Sequence, residues 1–305
     1  MKSLNKIENI LNSPLKIILG GYGPSNTSFS KALKFIGEQI TSQLGNNVNV
    51  EYIFNVMDLG YKSEDIIKLT EEGKLTISYQ SSSYLTDTIP ELGLIDLPFI
   101  FENNDQARKN IDGNLGKYFN TKIEKKMNFK ILGYFENGFR HISNKIKPIK
   151  KPEDLNDMKI RVLPSKIHKR TFDLLGSTPL RMDLVEAIKR IVNGTIDAQE
   201  NPLANTVAYD VHKYHKYHTL SNHFYISRCI MCNLDQYIQW PTKIKNIIEK
   251  AIKDSIEFQR SEAEKETILS YNTLIKHGCE IIDLNSEESN KFKEIVQPIY
   301  NEAKD

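Results

Sequence analysis

The sequence predicts an α/β protein of two lobes, and three observations carry that prediction. Apolar, strand-like runs alternate with amphipathic helical ones from Leu15 to Gln80 in β-α-β-α-β order. That order favours a mainly parallel sheet with helices on its faces. The same grammar starts again near residue 129, and no proline-rich or low-complexity linker separates the two passes. Late in the chain, residues 241–278 read as one very long helix or two collinear ones. Two α/β units without a flexible linker imply lobes joined by several crossing strands.

The elements follow in order. "LKIILGGYG" (15–23) is an apolar run ending in glycines, as a strand feeding a turn does. Phe29, Leu33, Phe35, Ile36 and Ile40 then recur at helical spacing. "VNVEYIF" (48–54) alternates as a second strand. "KSEDIIKLTEEG" (62–73) is a short amphipathic helix with Ser63 as its expected cap and Gly73 as its stop. "KLTISYQ" (74–80) is a third strand. In the second pass, "FKILGYFEN" and "MKIRVLPS" are strands, while "KIHKRTFDLLGS" and "DLVEAIKRIVNG" are helices stopped by glycine. "TIDAQEN" is a strand running into Pro202, and "LANTVAYDVHK" starts a further helix. In the long helix, Ile244, Ile247, Ile248, Ile252, Ile256 and Phe258 mark the expected buried stripe, without a clean heptad.

Composition narrows the function. At 305 residues, with 39% hydrophobic and 26% charged side chains, the chain is of soluble globular type with room for a sizeable core. The net charge of +2 argues against nucleic-acid or anionic-membrane binding driven by bulk charge. Cys229, Cys232 and Cys279 are too few and too odd in number for a disulfide framework. Cys229 and Cys232 have redox or half-zinc spacing, but they lie in an apolar run without a second pair, so small core thiols are the expectation. No apolar stretch is long enough to cross a membrane, and "MKSLNKIENILNSPLK" has no signal-type apolar region. The chain is therefore either cytoplasmic or a mature form with its export signal removed.

Few residues can carry chemistry. "IILGGYGPSN" lacks the G-x-G-x-x-G spacing and no Walker lysine follows it, so no dinucleotide or phosphate cofactor is implied. His212, His215 and His218 stand three apart, but no carboxylate sits between His215 and His218, and the interleaved lysines and tyrosines suggest a partly exposed segment rather than a metal site. Arg161 is more telling. It stands between Ile160 and Val162 in a short apolar strand, where an unpaired charge is costly. It must meet either a protein carboxylate or a ligand carboxylate, which its planar fork can grip through two parallel hydrogen bonds. Arg140, between apolar neighbours in "GFRHISN", points the same way or pairs with a surface acid. In "QENP", Pro202 holds Asn201 in extended geometry and fixes where its amide points. An amide both donates and accepts, so it can read a polar small molecule, and the same turn can start the next helix.

Several strings taken together resemble one family. "LPFIF" (97–101), "GFRHISN" (138–144), "KKPEDLNDMKIRVLPS" (150–165), "STPLRMDLVEAI" (177–188), "NGTIDAQENPLAN" (193–205) and "LSNHFY" (220–225) occur in this order. In them the chain resembles the DctP-type solute-binding proteins of tripartite ATP-independent periplasmic (TRAP) transporters, from about Leu15 to the end. The resemblance implies a two-lobed periplasmic-binding-protein fold with hinge strands and a long lobe-spanning helix. Residues 1–137 and 226–265 would form lobe I, and 138–225 and 266–305 lobe II. It implies a small organic acid bound between the lobes and delivered to the permease subunits of a TRAP transporter, by a monomeric periplasmic or extracytoplasmic receptor with no cofactor, no metal and no catalytic residue. On that resemblance Arg161 grips the carboxylate, Arg140 assists and Asn201 lines the site. Gln80, Tyr22, Ser28 and the loop from Ser25 complete it.

Departures from the family pattern bear on the ligand. Leu184 stands where the family usually has an aromatic, which points to a compact acid over a bulky sugar acid. Arg181 is an extra cation in the same loop, and Ala198 replaces a usual glycine. Two other functions compete: an enzyme acting on a small carboxylate with Glu200 as base, and a sensory binding protein feeding a receptor.

Overall fold

A computed structural model describes residues 13–303. Most of the N-terminal stretch read above for an export signal lies outside them. The chain begins with β1 (Leu15–Gly20), α1 (Ser28–Leu44), β2 (Val48–Ile53), α2 (Asp65–Glu71) and β3 (Ile77–Ser81). It continues through α3 (Asn104–Ile111), α4 (Asn114–Lys126) and a long β4 (Phe129–Asn144). Next come β5 (Lys159–Val162), α5 (Lys166–Leu174), β6 (Thr178–Arg181), α6 (Leu184–Val192), β7 (Ala198–Asn201) and α7 (Leu203–Ala208). A second long strand, β8 (Tyr217–Asn233), precedes α8 (Leu234–Gln239), α9 (Thr242–Lys276), β9 (Glu280–Asp283), α10 (Ser286–Val296) and α11 (Pro298–Glu302).

The chain divides into two compact units, Met1–Gln80 with Gly116–Glu136 and Arg228–Ala263, and Ser81–Leu115 with Asn137–Ser227 and Glu264–Asp305. Strands β4 and β8 and helix α9 contribute to both. The sequence reading placed residues 81–115 in the first lobe; here they pack in the second unit. Leu97 is 6% exposed in that unit's core beside Ile142, Ile160 and Phe224, and the Phe99 amide donates to the carbonyl of His223 at 2.8 Å. The apolar "LPFIF" string is thus core material whose partners lie far away in sequence.

In the first unit β1 pairs in parallel with β2 (Leu15↔Val48 to Gly20↔Ile53) and with β3 (Leu19↔Ile77). Thr27 caps α1, its hydroxyl accepting from the Ser30 amide at 3.3 Å, and the helix buries Phe29, Ala32, Leu33, Ile36 and Ile40. Phe35, expected on that stripe, stacks on Phe258 of α9 with ring centroids 4.8 Å apart. The paired glycines after β1 have a packing reason. A Cβ on Gly21 would lie 2.8 Å from the Phe54 carbonyl oxygen and from the Tyr79 hydroxyl. Helix α2 starts later than expected, with Glu64 rather than Ser63 at its N-cap, and Asp65 accepts from the Lys62 amide at 2.8 Å.

In the second unit the strand order runs β4-β7-β5-β6, with β9 pairing β8 from Tyr217↔Glu280 to Leu220↔Asp283. Strand β7 is antiparallel to β4 and parallel to β5. The core gathers Ile142, Ile160, Val162, Phe172, Ala198, Phe224, Phe292 and Val296. The sequence suggested a break at Asn137–Gly138, but β4 continues through it with Gly138 at φ +88°. Only glycine takes that backbone conformation without strain. Helix α9 is one continuous helix, and its buried positions include Ile244, Ile248 and Ile252 of the expected stripe.

Candidate binding site around Arg161

Strand side chains alternate between faces, and that parity organises the site. Ile160 and Val162 of β5 are fully buried in the core, so Arg161 between them projects from the other face. Arg161 lies opposite Gln199 of β7 in the parallel register, so these two side chains share a face, and Asn201 joins them two residues along. Glu200 projects the opposite way. Its antiparallel partner is Ile142 of β4, and two residues from Ile142 stands Arg140 on the same face as Glu200.

Arg161 is 1% exposed, yet among the described residues no carboxylate forms an ion pair with it, and its hydrogen bonds go to a carbonyl and a phenol. Its Nε and Nη2 donate to the Met182 carbonyl at 3.2 and 3.1 Å, and Nη2 also reaches the Tyr84 hydroxyl at 3.5 Å. The Tyr84 hydroxyl in turn donates to Asp183 Oδ2 at 3.5 Å, while Asp183 Oδ1 caps α6 by accepting from the Val185 amide at 2.9 Å. A carbonyl dipole and a phenol orient this guanidinium without neutralising it. Its formal charge remains for an anion, and pairing in a dry site is far stronger than in water.

Asn201 anchors a run of amides. Its Nδ2 donates to Gln199 Oε1 at 3.4 Å, and its Oδ1 accepts from Asn205 Nδ2 at 3.1 Å. Asn205 Nδ2 also donates to Asn137 Oδ1 at 3.0 Å, and Gln199 Nε2 donates to the Thr206 hydroxyl at 3.3 Å. Pro202, at φ −59° and ψ 150°, is the N-cap of α7, so "QENP" both orients the Asn201 amide and starts a helix. Leu184 opens α6 and is 5% exposed. Arg181 is accounted for by Asp87 at 2.5 Å and the Pro164 carbonyl at 3.1 Å.

Arg140 meets an acid of its own chain. Its Nε donates to Glu200 Oε2, and its Nη2 donates to Glu200 Oε1 at 3.0 Å and to the Glu200 carbonyl at 2.5 Å. Both side chains are buried, and strand parity turns them away from the face that carries Arg161 and Asn201. Arg140 is therefore a fork on a protein carboxylate. Burial alone would raise the Glu200 carboxyl, but the Arg140 guanidinium and the His168 and His223 rings reverse this and hold it well below the usual range. A carboxylate so held is a poor general base.

The remaining expected residues lie in the first unit. Tyr22 is 4% exposed and its ring packs on Tyr79 at 5.3 Å. The Ser28 hydroxyl accepts from Gln259 Nε2 at 3.4 Å. Gln80, expected to face a ligand, is fully buried and its amide donates to the Ser63 carbonyl at 2.7 Å. That contact ties β3 to the turn before α2. The sequence reading passed over Arg228, whose guanidinium lies 3.6 Å from the Phe29 ring centre and 4.6 Å from that of Tyr22. Tyr84, Asp183, Asn205 and Asn137 were missed as well. Their partners are separated by up to 99 positions, and no local pattern marks them.

Two further expectations are settled by burial. The histidine segment is not exposed: His212, His215 and His218 are 6%, 1% and 1% exposed, and only the lysines and Tyr214 between them face outward. The segment is a short 3-10 turn leading into β8, not a helix, so the rings turn inward: His215 Nδ1 pairs with the Ser143 hydroxyl at 3.0 Å. Among the described residues no group of three histidine, cysteine or acidic side chains could hold a metal. Cys229 and Cys232 are buried free thiols, and burial pushes Cys229 up to about 12.

Comparison with known proteins identifies the family. The family model described as DctP, bacterial extracellular solute-binding protein, family 7, matches residues 19–305. The chain is 24% identical over 278 residues to the C4-dicarboxylate-binding protein DctB of Bacillus subtilis, covering 91% of this chain and 79% of that one. Among solved structures it is similar to the sugar acid binding protein DctPAm of Advenella mimigardefordensis in complex with galactonate (TM-score 0.91, 28% identity, 96% of this chain and 93% of that one). It is also similar to a TRAP periplasmic solute binding protein of Sulfurospirillum deleyianum with bound succinate (TM-score 0.88, 27% identity, 95% and 94%).

Proposed function

We propose, from the premise that this chain belongs to family 7 of the bacterial extracellular solute-binding proteins, that it is an extracytoplasmic receptor in which Arg161 grips the carboxylate of a small organic acid. The observation that carries this reading is the guanidinium itself: 1% exposed, oriented by Met182 and Tyr84, and given no acidic partner among the described residues. Leaving a charge in that state costs stability, and a ligand carboxylate would repay it through two parallel hydrogen bonds. Asn201, on the same face, supplies an amide for a second polar group of the ligand. The protein binds as a monomer, releases the acid unchanged and hands it to a TRAP permease. The Arg140–Glu200 pairing supports a receptor over an enzyme, because it occupies the residue best suited to be a base. The net charge of +2 supports a small-molecule partner over nucleic acid.

The test is a thermal-shift screen of organic acids that includes succinate and galactonate, followed by calorimetric titration of the best binder. A ligand specific for the folded state raises Tm by mass action. With Leu184 in place of an aromatic platform, succinate is expected to give the larger shift. Arg161→Ala is expected to weaken binding by about 30-fold or more, on the scale of a lost buried charge contact of ~2–5 kcal/mol. Arg161→Lys is expected to fail too, since an ammonium cannot reproduce the planar fork. Unchanged affinity in either variant would overturn the reading.

A further inference from the structure

Beneath the face that carries Arg161 and Asn201 lies a buried cluster of charges. Arg140 and Glu200 are two of its members, and His168 of α5 is a third. His168 is fully buried and stacks on Phe224, with ring centroids 3.9 Å apart and planes within 7°. Its Nε2 lies 3.6 Å from Asp96 Oδ1 and its Nδ1 lies 3.7 Å from Glu200 Oε1. Neither ring nitrogen has another hydrogen-bond partner among the described residues. Asp96 is likewise fully buried and accepts from the Ser83 hydroxyl at 2.7 Å.

Both nitrogens of this ring therefore face carboxylate oxygens, which only accept. A neutral imidazole has one N–H and one lone pair, and that lone pair would oppose a carboxylate in a dry interior. An imidazolium has a proton for each. The charges then balance, with Arg140 and His168 against Glu200 and Asp96. Two further rings lie near the cluster: His141 of β4 is lowered to about 3, mainly by burial with His223 and Arg140 acting in the same sense, and His223 of β8 faces Glu200, its Nε2 3.6 Å from Glu200 Oε2 and its Nδ1 paired with the Ser221 hydroxyl at 2.7 Å. That arrangement suits a neutral ring, and burial lowers its proton affinity. For His168 burial acts in the same sense but is overcome by Asp96 and Glu200, leaving the ring raised above its ordinary value.

We infer that His168 is a positioning residue: held as an imidazolium, it ties the Asp96 carboxylate to that of Glu200 and so fixes strand β7, which carries Asn201. Its role in binding rests on the organic-acid reading above; its role in holding β7 does not.

Ring-nitrogen NMR of the full chain at pH 7 is expected to show both nitrogens of His168 protonated, and a bare nitrogen there would overturn the inference. Asp96→Asn keeps the shape but removes one counter-charge. In that variant the His168 titration midpoint is expected to fall by at least one pH unit, and amide exchange at Gln199–Asn201, corrected for its intrinsic pH dependence, to rise about tenfold between pH 6 and pH 8. His168→Gln should show the faster exchange at both pH values. A merely space-filling role predicts no such pH profile, and exchange in Asp96→Asn that stays at the wild-type level at both pH values would refute the tie. Succinate and galactonate titrations complete the test, with about tenfold weaker binding expected for Asp96→Asn at pH 8 than at pH 6. Should wild type bind neither acid, the receptor reading falls, while the two ligand-free measurements still decide the role of His168.

Discussion

Arg140 and Glu200 close on each other from neighbouring antiparallel strands, the guanidinium taking both carboxylate oxygens and the carbonyl of the same glutamate. The pair is fully desolvated, so its members are worth little alone. Its net contribution is the small difference between a large desolvation cost and a large attraction.

Removing one partner is therefore expected to cost far more than removing both. Arg140→Ala should destabilise the fold by ~3–5 kcal/mol, because it strands a buried carboxylate. Arg140→Met with Glu200→Leu should cost clearly less than the sum of the single changes, and it leaves His168 balanced by Asp96. Urea unfolding of the four proteins of this cycle measures the coupling. Additive effects would show that the two groups do not act as a pair.

Arg161 should show the opposite sign. Its charge is buried without a counter-ion among the described residues, so Arg161→Met, which keeps the length and drops the charge, is expected to raise the stability of the ligand-free protein by about 1 kcal/mol or more while abolishing acid binding. Thermal unfolding without ligand checks the first half, and titration calorimetry the second. A less stable ligand-free variant would mean that the hydrogen bonds to Met182 outweigh the buried charge.

Acid should weaken the fold before any carboxylate titrates. His215 and His218 are held neutral mainly by burial, which lowers them to about 3 and about 4. The unfolded chain takes up protons at these rings near the ordinary value of about 6.5. Stability is thus complete above that value and falls as the pH drops, at up to ~1.4 kcal/mol per pH unit for each ring. His168 does not oppose this loss. Its raised value makes its contribution fully present below the unfolded value and lost only as pH rises through the folded one. Glu200, held low, adds a further loss once the pH falls below the ordinary carboxyl value. Urea unfolding at pH 7, 6 and 5 is expected to show a steepening decline, and His218→Gln should flatten it. A constant unfolding free energy over that range would contradict the buried, neutral rings.

The sequence by itself determined most elements and singled out one costly residue. Alternation and helical spacing are local properties, so β1, β2, α1, α6 and the extent of α9 could be read directly, while its continuity was decided by the structure. A lone arginine between Ile160 and Val162 announces its own unusual cost, and the fold did place Arg161 buried without an acid beside it. Only the tertiary structure decided which charges are already paired. Arg140 and Glu200 are 60 positions apart, and Asp96 and His168 are joined only when "LPFIF" folds into the second unit's core. Two arginines in similar apolar strands look alike in sequence. They differ because strand register puts one on the face with Glu200 and the other on the face with Gln199 and Asn201, and register is fixed by long-range hydrogen bonds that no short stretch encodes.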